Sequence, residues 1–172
     1  MNLAYTMAPG RGDTDQILLD LARALAQRGL RCCGIAQINT GREDAGPCDM
    51  DVKVLPDGPI LRISQNLGEG ARGCRLDASA LETAVGLVGA NLPGADVLIV
   101  NKFGKQEAEG RGFRAAIAEA LSMDIPVIVG VNDLNLAAFE AFSAGLASRL
   151  APETPTLASW VGERARPQSA MI

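Results

Sequence analysis

The chain has 172 residues, 48% apolar and 21% charged, with a formal net charge of −4. This is the composition of an ordinary globular domain, and the acidic balance argues against a nucleic-acid partner. There is no histidine at all. That excludes Ser-His-Asp and Cys-His catalysis, a histidine general base, and every zinc site that needs imidazole. Aromatic residues are only 3%, so the core is expected to be aliphatic.

Residues 2–6 read as a first strand, and Pro9-Gly10-Arg11-Gly12 as a turn. A helix is predicted from Thr14 to Arg28, with Ile17, Leu18, Leu21 and Leu25 on one face and Gly29 as C-cap. Asp13 is the expected N-cap, with Gln16 completing a capping box. Residues 32–38 read as a second strand, in which the adjacent Cys32 and Cys33 point to opposite faces, so at most one is expected to face the core. A Gly-, Asp- and Pro-rich loop follows over 40–49. Two β-like stretches, 50–55 and 60–65, flank the hairpin signal Pro56-Asp57-Gly58-Pro59.

A glycine-punctuated loop spans 66–76. A helix over 79–92 then has Ser79 and Glu82 at capping-box spacing, with Leu81, Val85 and Val88 inward. Residues 96–101 are an apolar run suited to a strand buried on both faces. A helix over 107–122, a second buried strand over Pro126–Val131 and a helix over 133–147 complete the pattern. The alternation predicts a three-layer α/β domain with a mostly parallel sheet over residues 1–150 and a small β-hairpin insertion. Residues 151–172 are expected to form a loosely attached arm. The N-terminus has neither a basic region nor an apolar stretch of signal-peptide type, and no apolar run approaches the ~20 residues that span a bilayer. A cytoplasmic protein with reduced thiols, not inserted in a membrane, is therefore the expectation.

In such a sheet, ligands bind beyond the carboxyl ends of the strands. Three segments reach that edge: the turn at 7–14, the loop at 101–107 and the loop after 131. The first is a degenerate P-loop. Gly12-Asp13-Thr14 falls on the last three places of G-x-x-x-x-G-K-[ST], with Met7 where the first glycine belongs. Asp13 stands in place of the lysine that contacts the β- and γ-phosphates, and a carboxylate there repels phosphate. The helix N-terminus still offers free N–H groups, so Gly10, Gly12, Asp13 and Thr14 are either a ligandless turn or a weakened anion cradle. In the second segment, Asn101, Lys102, Lys105 and Glu107 follow a buried strand directly, where ligands dock. Arg111 and Arg114 read instead as a solvated charge run paired to Glu107 and Glu109. The 66–76 loop adds Arg72, Cys74 and Arg75, whose guanidiniums suit an oxyanion and would lower the thiol pKa. A plain surface loop is the equal alternative. No metal-ligand set is evident.

Arg11-Gly12-Asp13, Gly73-Cys74-Arg75-Leu76-Asp77 and, above all, the run Val100-Asn101-Lys102-Phe103-Gly104-Lys105-Gln106-Glu107-Ala108-Glu109-Gly110-Arg111-Gly112 resemble a bacterial domain family of unknown function. The resemblance covers about residues 2–150. It implies a link to molybdenum transport, in whose gene regions such domains are encoded, and a distant kinship to small P-loop nucleoside-triphosphatases. In those enzymes the strand matching 97–101 ends in an acidic pair, for which this chain has Asn101 and Lys102. The resemblance thus implies a P-loop-like topology without its catalytic lysine and magnesium carboxylate. Three functions follow as expectations. The first is binding or sensing of a molybdate- or tungstate-like oxyanion at Gly10, Gly12, Asp13, Thr14, Arg72, Cys74, Arg75, Asn101, Lys102, Lys105 and Glu107. The second is a nucleoside-triphosphatase or phosphotransferase using ATP or GTP with magnesium, a displaced lysine and Glu107. The third is a non-catalytic partner subunit in molybdenum handling.

Overall fold

A computed structural model describes residues 1–40, 49–65 and 76–165. The elements in chain order are β1 (Leu3–Thr6), α1 (Asp13–Gln27), β2 (Cys32–Thr40), β3 (Asp49–Leu55), β4 (Ile60–Arg62), α2 (Ala78–Asn91) and β5 (Val97–Val100). They continue with α3 (Lys105–Ala108), α4 (Arg114–Ser122), β6 (Val127–Gly130), α5 (Leu136–Ser143), β7 (Ser148–Leu150) and α6 (Thr154–Gly162). The strands form one seven-stranded sheet in the order β4-β3-β2-β5-β6-β1-β7. β2, β5, β6, β1 and β7 run parallel, and β3 and β4 form the antiparallel hairpin at one edge.

The fully apolar runs Val97–Val100 and Val127–Gly130 are buried throughout, because helices cover both faces of the sheet. Leu18, Leu21 and Leu25 of α1 pack on one face with Leu157 and Val161 of α6, while Leu81 and Val88 of α2, Ile117 of α4 and Phe139 of α5 fill the other. Cys32 belongs to the first core and Cys33 to the second, both buried. The expectation that at most one faces the core is corrected: with both faces covered, alternation sends each thiol into a core of its own. The mainly aliphatic core also has an aromatic wedge, in which the rings of Phe103 and Tyr5 lie 5.3 and 5.1 Å from that of Phe139.

Other local expectations are revised. Gly12, at φ 79°, is the N-cap of α1, and Asp13 is its first residue, so no Asp13–Gln16 capping box forms. Asp77, not Ser79, caps α2, its carboxylate accepting from the N–H groups of Ser79 and Ala80 at 3.0 and 3.1 Å. The single helix expected over 107–122 is two, because Gly110 and Gly112 adopt φ 87° and 60° between α3 and α4. The segment from Pro152 is no loose arm as far as residue 165: α6 docks on α1 and buries Leu157, Trp160 and Val161. Among the described residues, no helix is long and apolar enough to cross a membrane.

Candidate functional site

A cleft of about 900 Å³ opens at the carboxyl ends of β1, β5 and β6. It is lined by the β1–α1 turn, the segment after β5 and the loop after β6, the three segments that the sequence places at that edge. Gly10, Gly12, Thr14, Asn101, Lys102, Lys105 and Glu107 all contribute to its walls, whereas Asp13, expected with them, does not line it. Arg72, Cys74 and Arg75 lie outside the described residues.

The floor is held by close backbone approach. A Cβ on Gly130 would lie 2.1 Å from the carbonyl oxygen of Asn101, so only glycine lets the end of β6 pass beneath the segment after β5. The Phe103 N–H donates to the Gly130 carbonyl at 2.8 Å, and the Phe103 ring is buried in the aromatic wedge. With Asn101 and Phe103 both buried, the intervening Lys102 is exposed at the cleft wall. It makes no ion pair with a described residue.

Asn101, only 2% exposed, is the hub of a polar network. Its Nδ2 donates to Asp15 Oδ1 at 2.7 Å, and its Oδ1 accepts from the Gln37 N–H at 3.0 Å. Asn39 Nδ2 donates to the other Asp15 oxygen at 2.6 Å, and Gln37 Nε2 donates to Asn39 Oδ1 at 2.7 Å. This network ties the first turn of α1 to β2 and β5. It also bears on the magnesium ion that P-loop enzymes use, and the residues do not fit one. An amide that donates to Asp15 stands where the metal-binding carboxylate belongs, and among the described residues no three His, Cys, Asp or Glu side chains gather around a common point.

Glu107 is buried, and each of its carboxylate oxygens is taken by backbone, Oε2 by the Gly104 N–H at 2.9 Å and Oε1 by the Phe113 N–H at 3.1 Å. It braces the α3–α4 connection, where a Cβ on Gly112 would lie 2.2 Å from Oε1. Lys105 is largely exposed and lies 4.0 Å from Glu109. Arg111 pairs with Glu109, in line with a solvated charge run, but Arg114 forms no ion pair with the Glu107 carboxylate; it donates to the Glu107 backbone carbonyl at 3.4 Å, and its guanidinium lies 5.1 Å above the Phe142 ring.

Sequence reasoning singled out neither Arg11, Asp15 and Gln37 nor Asn132 and Asn135, all of which line the cleft. Asn132 Oδ1 accepts from Asn135 Nδ2 at 3.0 Å, which fixes the loop after β6. The signal was available: both asparagines follow a buried parallel strand, as Asn101 does.

The solution structure of a human cancer-related nucleoside triphosphatase is similar to this chain with a TM-score of 0.59 at 22% identity over 86% of each chain. The chain therefore shares the fold of that structure, here a three-layer α/β domain with a mostly parallel seven-stranded sheet. Residues 3–160 match the family described as a protein of unknown function (DUF2478), and the chain belongs to that family. It is also 35% identical over 151 residues, 86% of its length, to the molybdenum import ATP-binding protein ModC 2 of Bradyrhizobium diazoefficiens. The match spans 17% of that protein.

Proposed function

We propose that this protein binds a tetrahedral oxyanion in the strand-end cleft without hydrolysing a nucleotide, and that it serves molybdenum handling, with molybdate or tungstate as the anion. The observation that carries the reading is Lys102, an ammonium at the wall of a 900 Å³ cleft with no ion pair to a described residue. Lys105, the backbone of the turn at 10–12 and the amides of Asn132 and Asn135 add donors around the same space. Asp13 in place of the catalytic lysine and Asn101 in place of the metal carboxylate argue against phosphoryl transfer, which depends on charge and positioning. The relative named as a molybdenum import protein supports the choice of metal oxyanion.

One observation favours a second reading, a bound but uncleaved nucleotide: the cleft is of the size that takes a drug-sized ligand rather than one ion. Thermal melting with molybdate, tungstate, sulfate, phosphate and ATP, the last with and without magnesium, separates the two. A ligand at a hundredfold excess over Kd stabilises by about 2.7 kcal/mol, and each kcal/mol raises Tm by roughly 2–4 °C at this size. Molybdate or tungstate is expected to raise Tm where sulfate does not, and Lys102→Ala is expected to abolish the rise while the unliganded Tm stays put. A rise with ATP alone, equal with and without magnesium, would establish the nucleotide reading. Silence toward every anion would refute both, and a stable complex with another protein would then favour the partner-subunit function.

A further inference from the structure

We infer that the ligand of this cleft carries its oxyanion on an apolar body, as an aryl or alkyl phosphate monoester does, and that the body lies on the wall beside β2 and β3. This rests on the oxyanion reading above and names the class of ligand. The sheet order separates the lining into two sides. Arg11, Lys102, Lys105, Asn132 and Asn135 come from the loops after β1, β5 and β6. The other side is hydrocarbon: Ile35 of β2, Met50 of β3, Ile63 just past β4, Leu76, Leu81 of α2 and Phe113. These side chains belong to, or pack on, the core beneath α2, α4 and α5. The wall is thus the upper end of that core, open toward the ligand space. Met50 and Leu76 are only half-buried, which leaves apolar surface for a ligand to cover. Gln37, the polar side chain that β2 adds, donates to Asn39 and accepts from Asn101, so its amide is committed to the network.

A bare ion cannot use such a wall. Hydrocarbon offers a dianion neither charge nor donors, so desolvating it there is unfavourable. An apolar body gains by covering the same surface, roughly fourfold in affinity for each buried methylene. A ribose or the edge of a base would give up hydrogen bonds to water against those side chains and receive no strong ones in return.

Calorimetric titration of the full chain with inorganic phosphate, methyl phosphate, phenyl phosphate and AMP tests this, because each presents a phosphate head. Phenyl phosphate is expected to bind roughly thirtyfold more tightly than inorganic phosphate, methyl phosphate roughly fourfold, and AMP no more tightly than methyl phosphate. Sodium tungstate should displace phenyl phosphate, since both heads occupy the Lys102 side. Met50→Gln and Leu76→Gln should each reduce phenyl phosphate affinity by roughly fivefold. Leu146 is the control, an apolar side chain 63% exposed ahead of β7, at the opposite ends of the strands. Leu146→Gln should change no affinity by more than about twofold. Should one cleft variant fail to fold, the other variant and the wild-type ligand series still decide. Phenyl phosphate that binds no more tightly than inorganic phosphate, or not at all, would overturn the inference while tungstate binding left the oxyanion site standing. So would a gain with AMP equal to that with phenyl phosphate, failure of bound tungstate to displace phenyl phosphate, or the same loss in Leu146→Gln as in the cleft variants. Failure of tungstate and of every phosphate to bind would overturn both.

Discussion

Glu107 shows how a residue that looks chemical can be architectural. Both its oxygens receive backbone N–H groups from Gly104 and Phe113 in a buried position. In Glu107→Gln one of those donors would face an amide N–H₂ and lose its acceptor, at a cost of about 1–3 kcal/mol. Urea unfolding should show that loss, with the wild-type fold retained in native buffer. Cys32 gives a pH dependence. Burial pushes its thiol up to about 12, with Asp96 nearby adding to the effect. A thiol whose folded pKa lies above its unfolded value of 9.0 leaves stability intact below pH 9. Above that, each pH unit removes about 1.4 kcal/mol until the folded pKa is reached. Urea midpoints between pH 8 and 10.5 should fall accordingly, and less steeply in Cys32→Ala. Residues such as these are hard to read from sequence, because Glu107 sits in a run of lysines and amides that resembles a binding loop. What makes it structural is a pair of backbone donors, Gly104 at the N-cap of α3 and Phe113, the latter brought around by the turn at Gly110 and Gly112.

At the scale of elements, the inner strands were legible, whereas the edge strand β7 and the helix ends were not. Val97–Val100 and Val127–Gly130 announce themselves as unbroken apolar runs, since both faces of a parallel sheet are buried. Helix starts depend on which of several neighbouring polar residues wins the cap. Asp77 outcompetes Ser79 by accepting two N–H groups, and the left-handed Gly12 starts α1 one residue before the aspartate that sequence favours. The prolines after residue 151 suggested a detached tail, yet Pro155 lies in the first turn of α6, where its missing N–H costs nothing. α6 then closes the core over α1. Trp160→Ala, at a site 7% exposed, is expected to cost about 3–5 kcal/mol. Because this is the chain's single tryptophan, Leu157→Ala is the companion variant. It should lower the unfolding midpoint comparably while the indole fluorescence reports whether α6 lets go before the rest.

For the whole molecule, the cleft was legible as an edge and not as a constellation. Three loops could be assigned to the carboxyl ends of the strands from the βα alternation alone, and Lys102 and Asn101 stood out at one of them. The Asp15–Asn101–Gln37–Asn39 network could not be foreseen, because it joins residues up to 86 positions apart through the strand order β2-β5-β6-β1. That order also determines what the sheet offers at its margins. Both outermost strands, Ile60–Arg62 and Ser148–Leu150, are only three residues long, and each carries an arginine. Short, charged margins give a neighbouring chain too few free amides and carbonyls to extend the ladder. A protein assembled in this way can be crowded to high concentration without its sheets templating one another.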